Sequence, residues 1–306
     1  VTYIVSKLIG YLRLMRPANI VTAVADILAG VAISGYLLNV SFDIVTLEFI
    51  LPVACLCLAT IGLYGGGVVF NDVFDAELDK IERPERPIPG GIISKTQAII
   101  LGGYLFLVGI LAAFSVGGLA GYSGWLAVAI TISCIVYDKW GKHHEILGPL
   151  NMGLCRGLNL LLGISIVPAA LESYWWMGLI PILYIAAVTN ISRGEVHGGN
   201  AKTLRLTAWI YAAVYGTMTA LAIIHHKIWT AAPFIILFAV MINLPLFRAM
   251  KSPTGPNIGK AVKGGIIALI AMNAAWVAAF STLPYALLVL LLLPISMVLG
   301  RLFAVT

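Results

Sequence analysis

GGGVVFNDVFDAELDKIERPERPIPGG, residues 65–91, decides how this chain is read. Its first residues finish a long apolar run, and from Asn71 the composition inverts to Asp72, Asp75 and Asp79, three Glu and three basic residues. If the helix continues, Asn71, Asp75 and Asp79 fall at i, i+4 and i+8, and Asp72 joins Asp75 and Asp79 at i+3 and i+7. One helical face then carries three carboxylates and a carboxamide. Stacked carboxylates repel one another, and ionisable groups that begin inside a membrane boundary point to function, so the pattern asks for a compensating cation. Magnesium suits it, because it takes hard oxygen ligands, uses one or two carboxylates and completes its shell with water and phosphate. The closely alternating acids of an EF-hand loop are missing. Pro84, Pro87 and Pro89 with Gly90 and Gly91 end the helix and are expected to leave Arg83 and Arg86 in an extended segment, where their guanidinium forks reach phosphate oxygens. The competing reading is a solvated loop whose acids balance its bases.

The surroundings of this stretch set the fold class. The 306 residues are 60% hydrophobic and 10% charged, with a mean hydropathy of +0.99, too apolar for a soluble domain of this length. A spanning helix takes about 20 apolar residues. Ten candidate stretches run approximately over 18–38, 47–70, 97–118, 121–137, 147–170, 174–190, 204–224, 228–248, 263–280 and 284–303. Alternating barrel strands are absent, so the expectation is an all-α polytopic bundle of nine to ten spans, a single domain over 1–306.

The net charge of +6 does not point to nucleic acid, because the basic residues mark one side of a membrane. Alternate connections collect the bases around Arg13, Arg16, Lys80 to Lys95, Lys139, Lys142, Arg193 to Arg205, Arg248 to Lys263 and Arg301, whereas the opposite side holds Lys227. By the positive-inside rule the N-terminus and the polar loops are cytoplasmic, in an inner (plasma) or thylakoid-type membrane. Cys55, Cys57, Cys134 and Cys155 lie inside apolar stretches and read as buried structural thiols. No cleavable signal pattern opens the sequence, and Thr2 to Met15 reads as an interfacial helix.

With these motifs in hand, the sequence resembles the UbiA superfamily of intramembrane prenyltransferases. That superfamily's first signature, NDxxDxxxD before a basic Pro-rich segment, is complete here as Asn71, Asp72, Asp75 and Asp79 with RPERPIPGG behind it. The resemblance includes Arg16-Pro17-Ala18-Asn19 before the first span and the Tyr137 to Lys142 segment after the fourth. It implies about nine transmembrane helices around a central cavity, so the tenth stretch is a departure. The second signature, DxxxD, falls on NISRGEVHGGN and is half present, with Ile191 at the first acid and Glu195 at the second. Asn190, His197 or Asn200 are candidates to supplement Glu195, and Arg193 to replace metal charge by pairing with diphosphate. The wording SRGEVHGGN resembles the EboC-like branch.

The resemblance implies a magnesium-dependent transfer of an isoprenyl group from an isoprenyl diphosphate donor to a small aromatic or polyol-like acceptor within the bilayer. Asn71, Asp75, Asp79 and Glu195 would hold metal; Asp72, Asp75, Glu195 and Tyr137 form the catalytic set; Arg83, Arg86, Lys142 and Arg193 would bind diphosphate. Arg16, Asn19, Asn151 and Arg156 are assigned to the acceptor. Arg156 lies well inside the fifth stretch, where a charge must face the bundle interior, either to recognise a polar ligand group or to pair with Asp26. Rival functions on the same scaffold are a terpene cyclase that uses the diphosphate alone, and a lipid-binding or transport protein without catalysis.

Overall fold

The computed structural model describes residues 2–39 and 46–303, with the side chains of residues 2–4, Asn39, His143, Val196 and His197 outside the description. Among the described residues every regular element is a helix. Helix α1 (Thr2–Met15) meets α2 (Pro17–Ile33) at a 45° bend. Next come α3 (Leu47–Phe74), the short α4 (Ala76–Glu82), α5 (Lys95–Gly117), α6 (Tyr122–Lys139) and α7 (Leu147–Ile164). Then α8 (Pro168–Tyr174) and α9 (Leu179–Ser192) form one interrupted rod, followed by the single turn α10 (Gly194–His197). The chain finishes with α11 (Ala201–Ile224), α12 (Ile228–Lys251), α13 (Gly255–Phe280), and the broken pair α14 (Leu283–Leu290) and α15 (Leu292–Leu302).

Local chemistry sets these boundaries. Ser94 opens α5 with a reciprocal cap, accepting the Gln97 N–H while the Gln97 side chain accepts the Ser94 N–H. Asn200 opens α11 by accepting the Lys202 N–H. Proline at the first positions of α2, α8, α13 and α14 presets the helical φ where no backbone donor is needed.

Among the described residues, seven helices or interrupted rods are long and apolar enough to cross a membrane, or eight if the bent α1–α2 pair is one span. Nine to ten were expected, and the difference lies largely in α6 and α7. Each has 18 residues and is diluted by polar groups, Asp138 and Lys139 on α6 and Asn151, Arg156 and Asn159 on α7. The tenth apolar stretch, α14–α15, lies against α2 and α13, and Ser296 Oγ donates to the Ala18 carbonyl at 3.0 Å.

Helix α13 is the axis of the bundle, buried at every residue from Ala268 to Phe280 and packed on α2, α9 and α12. With no water to expel, membrane helices associate through close packing, which needs small residues at the crossings. At the α2–α7 crossing, a Cβ on Gly30 would fall on the Leu160 carbonyl and one on Gly163 on the Ile27 carbonyl. Gly163→Val is therefore expected to cost about 1–3 kcal/mol of unfolding free energy in detergent. Gly103→Val, at an exposed position with no neighbour within 4 Å, should leave the thermal midpoint unchanged.

Candidate functional site

The acidic signature sits where α3 gives way to α4. The helix breaks at Asp75, but Asp75 N–H to Asn71 O (3.0 Å) and Asp79 N–H to Asp75 O (2.8 Å) carry the helical register across the junction. At 3.6 residues per turn, seven residues return to within about 20° of the starting face, and eight overshoot by about 80°. Asp79 therefore lies about 20° from Asp72, about 40° from Asp75 and about 80° from Asn71. The four residues share the one broad face expected from the spacing, and they divide across it into two sides, each with its own counter-charges.

On the first side, Asp72 Oδ1 accepts from Arg16 Nη2 at 2.6 Å and from Arg86 Nη1 at 3.2 Å, and the same Arg86 nitrogen reaches Asp79 Oδ2 at 2.7 Å. Asp72 and Asp79 are both buried. On the second side, Lys142 Nζ pairs with Asp75 Oδ1, and Asn71 Nδ2 donates to Asp138 Oδ1 at 2.9 Å. Three carboxylates of the signature thus meet three bases that come from three separate parts of the chain.

Each base is delivered by a local device. Arg16 sits at the α1–α2 bend with φ 50 and ψ 65, a left-handed conformation that non-glycine side chains rarely adopt, and Pro17 locks the residue that follows. Arg86 was expected in an extended segment, but residues 83–93 form successive turns. Arg86 N–H bonds to Arg83 O at 3.1 Å, Gly90 N–H to Arg86 O at 2.8 Å, and the Ile92 and Ile93 N–H groups share Pro87 O at 3.0 Å. The prolines remove donors without straightening the chain, and the coil returns Arg86 to Asp72 and Asp79. Beneath it Leu14, Val69, Val73, Ile93 and Ala98 form an apolar clasp that ties α1, the end of α3 and this loop together. Lys142 projects from the 3-10 turn Gly141–His143 after α6, against which Asn151 abuts at Gly141.

The half-signature falls at the end of α9 and on α10. Ile191 is buried in the main apolar core and offers no donor. Glu195, on α10, has its carboxyl pushed up by partial burial, an effect that Arg83 opposes. Arg83 is itself exposed, and Arg193 Nη2 donates to the His144 carbonyl at 2.7 Å. Asn190, Arg193, Gly194 and Asn200 line a cleft of about 690 Å³ with Leu150, Leu183 and Ile210. Asn200 spends its side-chain oxygen on the α11 cap, and the His197 side chain lies outside the described residues. Half-buried Tyr137 has Asp138, Asp75 and Arg193 as its charged neighbours.

Arg156 and Asn19 are both buried. Arg156 donates to Asp26 Oδ2 at 2.7 Å and Thr22 Oγ1 at 2.6 Å, with its guanidinium 4.9 Å from the Tyr64 ring centroid. Asp26 also accepts from Asn159 at 3.1 Å and Asn273 at 2.7 Å, and Asn159 accepts from Thr60 at 2.7 Å. The resting structure thus contains the Asp26 pairing of Arg156. Asn273 and Thr60 escaped the sequence reading, although a lone asparagine in the apolar run of α13 is the signal that would have found it.

Magnesium fits the acidic rim on chemical grounds. Among the described residues no three acid, histidine or cysteine side chains form a ready metal cage. Magnesium needs no such cage when a phosphate ligand completes its shell. That one Arg86 nitrogen lies within hydrogen-bonding distance of both Asp72 and Asp79 shows that the two carboxylates can share a positive charge.

Residues 28–263 match the model of the UbiA prenyltransferase family. The digeranylgeranylglyceryl phosphate synthase of Methanothrix thermoacetophila is 36% identical over 185 residues, 60% of this chain and 61% of the relative. The synthase of the same name from Methanosarcina mazei is 33% identical over 132 residues, 43% of each chain. The chain therefore spans less than two thirds of the length of these curated relatives. A UbiA homologue from Archaeoglobus fulgidus, solved with GPP and Mg2+, superposes with a TM-score of 0.66 at 16% identity, covering 92% of this chain and 99% of that one. A homologue from Aeropyrum pernix gives a TM-score of 0.66 at 16% identity over 84% of this chain and 96% of that one. At such identities the likeness is one of fold.

The buried Arg156–Asp26 pair, with side chains 7% and 2% exposed, yields a stability test. Arg156→Met should cost about 3–5 kcal/mol by stranding the Asp26 charge, and the double variant Asp26→Leu/Arg156→Met should recover part of that loss. Denaturant titration of the detergent-solubilised protein measures both.

Proposed function

The chain belongs to the UbiA prenyltransferase family, and we propose that it transfers an isoprenyl group from an isoprenyl diphosphate to a small polar acceptor inside the membrane, as one domain, with magnesium. The observation that carries this reading is the closed set of charges at the end of α3, in which Asp72, Asp75 and Asp79 are held by Arg16, Arg86 and Lys142. A purely structural cluster has no use for so many buried charges, since well-packed apolar residues would serve stability as well or better. A site for a divalent cation and a polyanion needs both signs of charge in one place. The solved relative that holds GPP and Mg2+ supports the same pairing of ligands.

In this reading the acids and bases exchange partners on binding. Asp72, Asp75 and Asp79, with Asn71 and Glu195, turn to the cations, while Arg86 and Lys142 turn to diphosphate oxygens, with Arg83 and Arg193 at the rim, and Arg16 is released to the acceptor. Bound magnesium supplies neutralisation of the leaving diphosphate, which favours ionisation of the allylic carbon–oxygen bond. The bases hold the departing diphosphate by charge-assisted hydrogen bonds, keeping it clear of the carbon it leaves. The apolar walls, with Phe70 stacked on Phe106 and tilted against Phe74 beside the signature, exclude water until the acceptor captures the cation. The acceptor's polar group falls to Arg16, Asn19, Asn151 and Arg156, and Tyr137 completes the reacting set. The asymmetry of basic residues supports a cytoplasmic side for the N-terminus and the site.

Reconstituted protein incubated with geranylgeranyl or farnesyl diphosphate and an acceptor extract should release pyrophosphate and form a prenylated product by mass spectrometry. Chelation of magnesium should abolish both. Asp75→Asn should slow turnover ~100-fold or more. No release with any donor, or an unaltered rate in Asp75→Asn, defeats the proposal.

A further inference from the structure

Asp138 takes no part in the exchange just described, yet it stands in the middle of it. It is 4% exposed near the end of α6, and its charged neighbours are Lys142, Asp75 and Arg16. Its Oδ1 accepts from Asn71 Nδ2, while its Oδ2 is buried with no hydrogen-bond partner. An unpartnered buried carboxylate oxygen is costly to keep, and such an atom in a folded protein calls for a ligand. Lys142 does not serve it, because its ammonium is on Asp75.

The partnered oxygen is equally informative. The bond from Asn71 Nδ2 to Asp138 Oδ1 holds the Asn71 carboxamide with its nitrogen toward Asp138 and its oxygen turned away. That leaves Asn71 Oδ1 available as a hard ligand on the same helical face as Asp75. The second signature is one carboxylate short, with Ile191 at its first acid position packed in the apolar core.

We propose that Asp138 is a fourth carboxylate of this site, replacing on α6 the oxygen ligand that Ile191 withholds: its Oδ1 orients Asn71, and its Oδ2 binds a divalent cation. This rests on the magnesium–diphosphate reading of the site. It also makes α6 a ligand-bearing wall, so the site is assembled from α3, α6 and α10 rather than from the two signature segments alone.

The test is the affinity for Mn2+, read as free Mn2+ by electron paramagnetic resonance, with the metal alone and with farnesyl thiodiphosphate, alongside the melting temperature without cation. Asp138→Asn keeps an acceptor for Asn71 but loses the charge. It should weaken Mn2+ binding 10–100-fold, a loss of the size found when groups supporting a metal site are removed. Its cation-free melting temperature should equal or exceed that of the wild type, because a buried unpaired charge is gone. Asp138→Ala should weaken binding at least as much, and Glu85→Gln, at an exposed position outside the site, should leave it unchanged. Undiminished Mn2+ affinity in Asp138→Asn, beside a wild type that binds, overturns this inference and leaves the proposed function standing. A loss of affinity matched by a lower cation-free melting temperature also overturns it, since that marks a structural role. A wild type that binds no Mn2+ in either condition removes the metal reading and this inference together.

Discussion

A carboxylate at the edge of the hydrocarbon layer has to be matched by positive charge, and Asp72 is matched by two arginines from opposite directions. Much of the surrounding architecture follows from that requirement. Arg16 reaches Asp72 because the backbone turns through a left-handed conformation between α1 and α2. Arg86 reaches it because a proline-rich coil doubles back from α4, pinned by Ile92 and Ile93 against Gly10 of α1. The apolar clasp under the loop and the ion pairs above it are two layers of one joint. If the charges did not close, α1 would lose its orientation and the loop its reason to fold inward.

The bundle is correspondingly uneven. The α3–α5 and α2–α7 crossings are tight, glycine-lined contacts in which backbone approaches backbone, as van der Waals association in lipid demands. Around the site the walls are less apolar: α6 and α7 give up hydropathy to carry Asp138, Asn151, Arg156 and Asn159. The polar residues fall into two tiers, a rim of acids and bases where α3 ends and a deeper knot around Asp26.

The helical class, the apolar stretches and the importance of residues 71–79 were legible because they rest on composition and spacing. The division of the signature between two sets of bases was not, since spacing puts the four residues on one face but does not show that Arg16 and Arg86 take Asp72 and Asp79 while Lys142 takes Asp75. Prolines in RPERPIPGG announced the end of a helix correctly but said nothing of the path beyond, which is set by the contact of Ile93 with α1. Asp138 read as part of a charged helix terminus, because a sequence shows that an acid is present but not that one of its oxygens is buried without a partner. The Asp26 knot was half visible: Arg156 demanded an anion somewhere, and the contributions of Asn273 and Thr60 come from helices far away in the chain.

That distance has a consequence for how the protein is made. Asp26 and Asn273 are 247 residues apart, and Arg156 lies 130 residues beyond Asp26. During synthesis, in which N-terminal segments emerge first, α2 arrives carrying an acid whose partners have not yet been translated. It must therefore wait in contact with water, and its commitment to the bilayer core is deferred until α7 supplies a guanidinium and α13 the last carboxamide. The first span is thus completed by the later ones, and a nascent chain arrested before α13 would hold an Asp26 that still lacks one of its partners.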